Sequence, residues 1–285
     1  MKQSTNIRQK DVFVVSDLHI GDRTSKDRFV RSGKDRDFMR FLEYVQNQEG
    51  QLVIAGDLFE LWRFSLEQIT HQWHDLLDLL HRMNSIFIPG NHDAVVANAH
   101  SGDLHPFFEC VRPPFTTLLG NKRFRFMHGH EVDPLQPHYL QKWGHNLGLF
   151  SGLFDLKDTL LEWTNYALSD ALYDLAETVL RFWHWLTQNK SHTIHNDLSL
   201  SNTYSENSSI RVQKMLSRFL YHKEETLYDV AIMGHTHKPG QFGQWYYNCG
   251  SWTRPVNNFL RIRPNGHTAV FDWGSNGCRP NDTLI

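Results

Sequence analysis

Apolar and polar residues alternate in blocks along the first third of the chain. Short β-branched runs at residues 12–16, 52–55 and 86–88 are typical of strands that are buried on both faces. Between them, residues 35–48 and 65–83 carry apolar side chains at helical spacing. This strand–helix–strand series predicts an α/β fold with a largely parallel sheet covered by helices.

A second group of strands follows, at residues 123–127, 229–233, 245–248 and 268–273. Together the two groups predict a pair of sheets packed in a sandwich. Between residues 153 and 233 there is no Gly or Pro, although the chain holds 18 and 10 of them, and apolar residues there repeat at helical spacing. We therefore predict one domain over residues 1–285, with a helical cap inserted at residues 135–225.

Composition narrows the class of protein. A net charge of -2 argues against a chain built to coat nucleic acid. Three cysteines without paired spacing favour reduced thiols in a cytoplasmic protein. We expect neither a signal peptide nor a membrane-spanning segment, because no apolar run reaches about 18 residues.

Five short polar motifs follow predicted strands. They are Asp17-Leu18-His19, Gly56-Asp57, Gly90-Asn91-His92-Asp93, His128-Gly129-His130 and Gly234-His235-Thr236-His237. Each motif alone is compatible with an ordinary turn. Because ligands collect at the carboxyl ends of strands, all five can meet at one edge of the fold. Imidazole, carboxylate and amide groups suit divalent cations, so the set predicts a metal centre that hydrolyses its substrate with activated water.

In this order, the motifs resemble those of calcineurin-like metallophosphoesterases, over residues 11–135 and 228–273. The resemblance implies a four-layer α/β/β/α sandwich and two divalent ions, manganese first, with iron or zinc as alternatives. It assigns one ion to Asp17, His19, Asp57 and His237, and the other to Asp57, Asn91, His128 and His235, so that Asp57 bridges them. It also implies that His92 protonates the leaving oxygen and that Asp93 orients His92. For His130 a substrate contact, a place just behind the ligands and a purely structural role remain open, and we favour the substrate contact.

Within that family, residues 56–62 (Gly-Asp-Leu-Phe-Glu-Leu-Trp) and 249–252 (Cys-Gly-Ser-Trp) resemble UDP-2,3-diacylglucosamine diphosphatases of lipid A synthesis. That branch implies hydrolysis of a pyrophosphate in a lipid substrate, with peripheral contact to the inner membrane surface. Its best-known members have Arg at the place of His92 and Asp at the place of His130.

Other functions share parts of the pattern. Nucleases and cyclic-nucleotide phosphodiesterases also carry Gly-Asn-His-Asp, and they are the main alternative. Nucleic acid is the less favoured partner, because the near-neutral chain shows no basic, aromatic groove. A Ser/Thr protein phosphatase is disfavoured, since the Asp-Arg-Gly that usually follows the second motif is missing. A non-enzymatic scaffold of this fold typically loses a ligand His, whereas every ligand position here is intact.

Overall fold

The computed structural model describes residues 7–98, 105–133 and 228–282. They form two mixed β-sheets with helices against one of them. In chain order, the strands are β1 (Val12–Val15), β2 (Gln51–Ala55), β3 (Ile86–Ile88), β4 (Phe115–Leu119), β5 (Lys122–Phe126), β6 (Val230–Met233), β7 (Gly240–Phe242), β8 (Tyr246–Asn248), β9 (Asn257–Ile262), β10 (Thr268–Gly274) and β11 (Gly277–Asn281). The α-helices are α1 (Arg28–Arg31), α2 (Lys34–Asn47), α3 (Leu66–Gln72) and α4 (His74–Arg82).

The first sheet has the strand order β11-β10-β9-β1-β2-β3. Its strand β1 is buried along its whole length, because both of its faces are covered. Phe13 and Val15 pack with residues of α2, α3 and α4, whereas Val12 and Val14 pack against the second sheet. This two-sided burial explains why the strand reads as a continuous apolar run.

The second sheet has the order β4-β5-β6-β8-β7. Phe124 and Phe126 of β5, together with Val230 and Ile232 of β6, are buried in the cluster between the sheets. The opposite face of this sheet carries another buried apolar cluster that includes Met233. The second sheet therefore has apolar side chains on both faces.

The predicted α/β fold with two packed sheets is confirmed, with two corrections. The first sheet is mixed and not largely parallel, because β9, β10 and β11 return antiparallel beside β1. In addition, β10 lies in the first sheet, although we grouped it with the later strands by chain order. The predicted cap, residues 135–225, lies outside the described residues.

The predicted helix over residues 65–83 is two helices, α3 and α4, which meet at Trp73. The backbone of Trp73 departs from helical geometry, with φ −113° and ψ 23°. Its buried indole N–H donates to the carbonyl of Gly21 at 2.7 Å. This tertiary contact, which helical periodicity does not reveal, ties the bend to the loop that follows the first motif. Within the described ranges, no helix is both long and apolar enough to cross a membrane.

Candidate metal centre

The five motifs begin where strands of the two sheets end. Asp17 follows β1, Asp57 follows β2 and Asn91 lies just beyond β3 in the first sheet. His128 lies just beyond β5, and the Gly-His-Thr-His motif follows β6 in the second sheet. These strands are parallel within each sheet, so their carboxyl ends bring the motifs to one edge of the sandwich.

The backbone at the predicted ligands is unusual. In the described parts of the chain, eight non-glycine residues have positive φ, and five of them are predicted ligands. These five are Asp17, His19, Asp57, His235 and His237. A Cβ disfavours left-handed backbone, and such strain clusters at functional sites. Backbone hydrogen bonds hold the turns in place, including Asp17 N–H to the Gly56 carbonyl at 3.1 Å and His19 N–H to the Asp57 carbonyl at 3.0 Å.

The predicted ligands of the first ion form one group. His237 Nε2 lies 3.0 Å from Asp17 Oδ1. His19 Nε2 lies 3.9 Å from Asp17 Oδ1 and 3.8 Å from Asp57 Oδ2. His19 Nε2 is buried, and it makes no hydrogen bond among the described residues. A buried ring nitrogen that faces two carboxylates without such a bond has the surroundings of a metal ligand.

The predicted ligands of the second ion form the adjoining group. His128 Nε2 lies 3.2 Å from Asp57 Oδ2 and 3.1 Å from Asn91 Oδ1. The ring of His235 lies beside that of His128, with 5.1 Å between centroids. Asp57 thus approaches a histidine of each group, which is the position that a bridging carboxylate requires.

These distances fit metal binding. Ligand atoms that each lie about 2.0–2.2 Å from one ion are roughly 3–4 Å apart, and the atom pairs above span 3.0–3.9 Å. The residues present therefore match the donor set and the spacing of a two-ion centre. We refer to the Asp17 group with Asp57 as site 1 and to the His128 group with Asp57 as site 2.

His92 lies beside this centre and is held on two sides. Its ring stacks on the indole of Trp62, with 3.6 Å between centroids and 21° between planes. Its Nδ1 is 2.9 Å from Glu60 Oε1, and its backbone N–H donates to Asp57 Oδ1 at 2.9 Å. The ring edge also meets His19, with centroids 4.5 Å apart.

Comparison with known protein families shows which family the chain belongs to. The profile of the family described as calcineurin-like phosphoesterase matches residues 11–239 of the chain. The chain belongs to this family. Its members hydrolyse phosphoesters with dinuclear metal centres, and the Asp and His clusters of this chain are able to hold such ions.

Solved structures that resemble the chain do so at low identity. Vps29 complexed with zinc from Entamoeba histolytica is 14% identical, with TM-score 0.43, covering 95% of this chain and 97% of that one. Vps29 from Cryptosporidium parvum is 12% identical, with TM-score 0.42 and 95% coverage of each chain. A variant of a cold-active protein tyrosine phosphatase is 13% identical, with TM-score 0.38, covering 98% of this chain and 85% of that one. No curated protein matches the chain.

Electrostatics in this member of the family favour positive charge at the candidate centre. Burial alone lowers the pKa of His128, but the neighbouring Asp57 carboxylate raises it to about 10. Burial likewise opposes ionisation of His19, yet its hydrogen bond to Glu60 raises its pKa to about 9. Burial raises the pKa of Asp57, whereas His128 brings it well below its usual range. The centre thus binds protons strongly, and bound cations would supply the same positive charge.

The structure assigns the orienting contact of His92 to Glu60 and not to Asp93. The Asp93 carboxylate instead accepts from the backbone N–H groups of Gly90 at 2.6 Å and Phe59 at 3.1 Å. Burial and the neighbouring Asp57 raise the pKa of Asp93 to about 7. The physical reason for the correction is that Asp93 points back into the turn that carries Asn91, where it satisfies backbone donors.

His130 lies near the second-site histidines, with its ring centroid 5.4 Å from that of His128. Burial lowers the pKa of His130 to about 4, so its ring is neutral at pH 7. In the substrate contact that we predicted, a neutral ring would act as a hydrogen-bond group and would not supply positive charge.

Glu60, Trp62 and Asp133 are among the residues that touch the predicted ligands or His92 and were missed by sequence reasoning. Glu60 and Trp62 follow the second motif, within the very segment that signalled a family branch. Asp133 lies 2.8 Å from His235 Nε2 through its Oδ2 atom. The resemblance of residues 56–62 to a family branch could have drawn attention to Glu60 and Trp62. No local sequence pattern marked Asp133.

Another cluster away from the centre does not suit a metal. His74, Asp78 and His105 bring ligand atoms within 4.8 Å of one another. However, His105 Nδ1 accepts the backbone N–H of Phe107 at 3.1 Å. The proton of the neutral ring then sits on Nε2, which removes the lone pair that a metal needs.

Glycine at position 56 is required by the close approach of His128. Gly56 has φ +94°, and a Cβ there would lie 2.2 Å from His128 Nδ1. We therefore expect Gly56→Ala to displace His128, weaken Mn²⁺ binding and lower the free energy of unfolding by more than backbone strain alone. Calorimetric Mn²⁺ titration and denaturant unfolding measure the two effects.

Gly277→Ala is the matched control for that substitution. Gly277 has φ +87°, and a Cβ there meets nothing within 4 Å. It should cost about 1 kcal/mol of stability from backbone strain and leave Mn²⁺ binding unchanged. Equal effects of the two substitutions would show that the contact with His128 is unimportant.

Proposed function

We propose that the protein hydrolyses a phosphodiester or a pyrophosphate, with two divalent ions at sites 1 and 2 and His92 as the proton donor to the leaving oxygen. The observation that carries this proposal is the placement of His92. Its ring meets that of His19 and lies near Asp57, the carboxylate common to both groups, and Glu60 and Trp62 contact it on two sides. A positioned imidazole next to a metal centre is the arrangement that general acid catalysis requires.

The protein groups have separable roles in this scheme. Site 1 would be held by Asp17, His19 and His237, site 2 by Asn91, His128 and His235, with Asp57 common to both. When bound, the ions supply positive charge that polarises the phosphoryl group and acidifies water. Glu60 holds Nδ1 of His92, so Nε2 is the ring atom that would deliver the proton. We propose manganese as the ion.

For the substrate, we propose UDP-2,3-diacylglucosamine, as the resemblance of residues 56–62 and 249–252 implies. The structure adds an open cleft of about 340 Å³ on the His92 side of the centre. Its lining includes Leu61, Trp62, Phe64 and Val95, and Val95 is 64% exposed. Apolar surface beside the proton donor suits a substrate with acyl chains, and such a substrate would bring the protein to a membrane surface.

A Mn²⁺-supplemented hydrolysis panel tests this function. The substrates are UDP-2,3-diacylglucosamine, bis-p-nitrophenyl phosphate, a cyclic nucleotide and single-stranded DNA. We expect turnover of the lipid pyrophosphate to have the highest kcat/KM and turnover of the small chromogenic diester to be slower. Preference for the cyclic nucleotide or DNA would replace the lipid proposal with the nuclease or phosphodiesterase alternative.

A charged side chain introduced into the cleft tests whether the cleft binds the acyl chains of the proposed substrate. Val95→Asp should raise KM for the lipid substrate and leave the small diester unaffected, because only the acyl chains reach the cleft. Leu118→Asp on β4 is the control, since Leu118 is also exposed, at 40%, but lies outside the residues that line the cleft. Equal effects of both variants on the lipid would remove the cleft from the proposal.

A further inference from the structure

Each of the four histidines assigned to the two sites has one ring nitrogen beside an oxygen atom that belongs to no predicted ligand. In site 1, His19 Nδ1 lies 2.9 Å from Glu60 Oε2, and His237 Nδ1 lies 3.3 Å from the Thr253 hydroxyl. In site 2, the partners are a main-chain carbonyl and a carboxylate. His128 Nδ1 lies 2.8 Å from the Ala55 carbonyl, and His235 Nε2 lies 2.8 Å from Asp133 Oδ2.

The pattern is the same in both sites. One histidine of each pair meets a carboxylate, and the other meets a neutral oxygen. The side chains of Glu60 and Asp133 are 13% and 0% exposed, so water screens these contacts little. A carboxylate behind a ligand histidine fixes the tautomer, orients the ring and makes its metal-facing nitrogen more basic.

We propose that Glu60 and Asp133 are positioning residues that set the affinities of two different ions, Glu60 that of site 1 and Asp133 that of site 2. This inference rests on the two-ion centre of the proposed function. Neither carboxylate is assigned as a ligand. Each acts through the histidine that it holds, His19 or His235.

Glu60 differs from Asp133 in one respect. Its second oxygen, Oε1, holds Nδ1 of His92 at 2.9 Å. One carboxylate therefore positions both a ligand of site 1 and the proton donor. The two rings meet different oxygens of Glu60, and in Gln one of these positions becomes an NH2 group, which cannot accept from a ring that carries the Nδ1 proton.

The experiment is a calorimetric titration of metal-stripped protein with Mn²⁺ alone. Wild type should bind two ions. Glu60→Gln and Asp133→Asn should each weaken one binding step by roughly 10–100-fold and leave the other within a few-fold. The double variant should weaken both steps, because the two carboxylates serve different sites. Glu67→Gln, which removes an exposed charge on α3 in the same segment, should bind as wild type does.

Several results would overturn the inference. These are unchanged affinities in both single variants, equal weakening of both steps in either one, or a double variant that keeps one step intact. If Glu60→Gln does not fold, Glu60→Asp retains the charge and serves instead, because its shorter arm cannot reach both rings. If Glu60→Asp binds Mn²⁺ with wild-type affinity, simultaneous contact of the carboxylate with both rings is unnecessary, and the positioning role of Glu60 is contradicted.

Hydrolysis rates of substrates with poor and good leaving groups provide a second measurement. Their ratio would not change if Glu60 had a purely structural role. At saturating Mn²⁺, Glu60→Gln should slow an alkyl diester more than bis-p-nitrophenyl phosphate, and Asp133→Asn should slow both equally. The titration uses no substrate, so it separates this inference from the proposed function. A chain that binds two ions as described but hydrolyses no phosphoester would contradict only the function.

Discussion

Replacing Asp57 with alanine is expected to reduce turnover to background and to remove both ions. Asp57 Oδ2 lies 3.8 Å from His19 Nε2 and 3.2 Å from His128 Nε2, so one carboxylate faces a histidine of each site. Without it, each site loses a charged ligand at once, and two neighbouring cations lose the anion between them. Bound manganese per chain after dialysis, measured by elemental analysis, and hydrolysis of bis-p-nitrophenyl phosphate report the two losses.

Asp75→Ala supplies the control, because it removes an exposed carboxylate from α4. It should keep two ions and full activity. Circular dichroism checks that Asp57→Ala is folded. If it is not, Asp57→Asn, which keeps the side-chain volume, replaces it. One or two ions retained per folded Asp57→Ala chain would contradict the bridging assignment.

His92→Asn should leave manganese content near that of wild type but slow hydrolysis of an alkyl diester by about 10²–10⁴-fold, the usual worth of a general acid. The loss should be much smaller with p-nitrophenol as the leaving group, because its anion departs without a proton. The measurements are kcat for both substrates and bound manganese. His71→Asn, at an exposed position of α3, controls for the loss of an imidazole.

His92→Arg separates proton donation from charge. Arginine stays protonated, so it stabilises negative charge without transferring a proton. We expect it to restore little activity on the alkyl diester. Retained turnover of UDP-2,3-diacylglucosamine by this variant would show that position 92 stabilises charge only. Equal losses for good and poor leaving groups in His92→Asn would also exclude the donor role.

The sequence could place the predicted ligands near one another because each of their motifs follows a strand. Asp17 and Asp57 end buried apolar runs, and adjacent parallel strands deliver their ends to one place. The partners behind the ligands follow no such rule. Asp133 meets His235 across 102 positions of sequence, and Thr253 meets His237 through a later loop. Such contacts depend on how loops return to the site, which local pattern does not encode.

The same limit explains the errors in the fold. Strand β9 begins with two asparagines and its apolar residues are interrupted by Arg261, and β11 is polar and contains a proline, so neither is a continuous apolar run. Without β9, nothing in the sequence indicated that β10 joins the first sheet. The break at Trp73 is accompanied by its hydrogen bond to Gly21, whereas the apolar stripe through residues 65–83 continues across it.

The left-handed backbone at five predicted ligand positions bears on how the proposed centre would take up metal. Hydrogen bonds of the polypeptide itself hold Asp17, His19 and Asp57 in these turns. Gathering the ligands is therefore a cost of folding, and metal uptake needs little further ordering of the chain. In contrast to a zinc finger, whose fold forms only with its ion, this chain should keep its sheets when stripped by a chelator. It should then reload from solution without refolding.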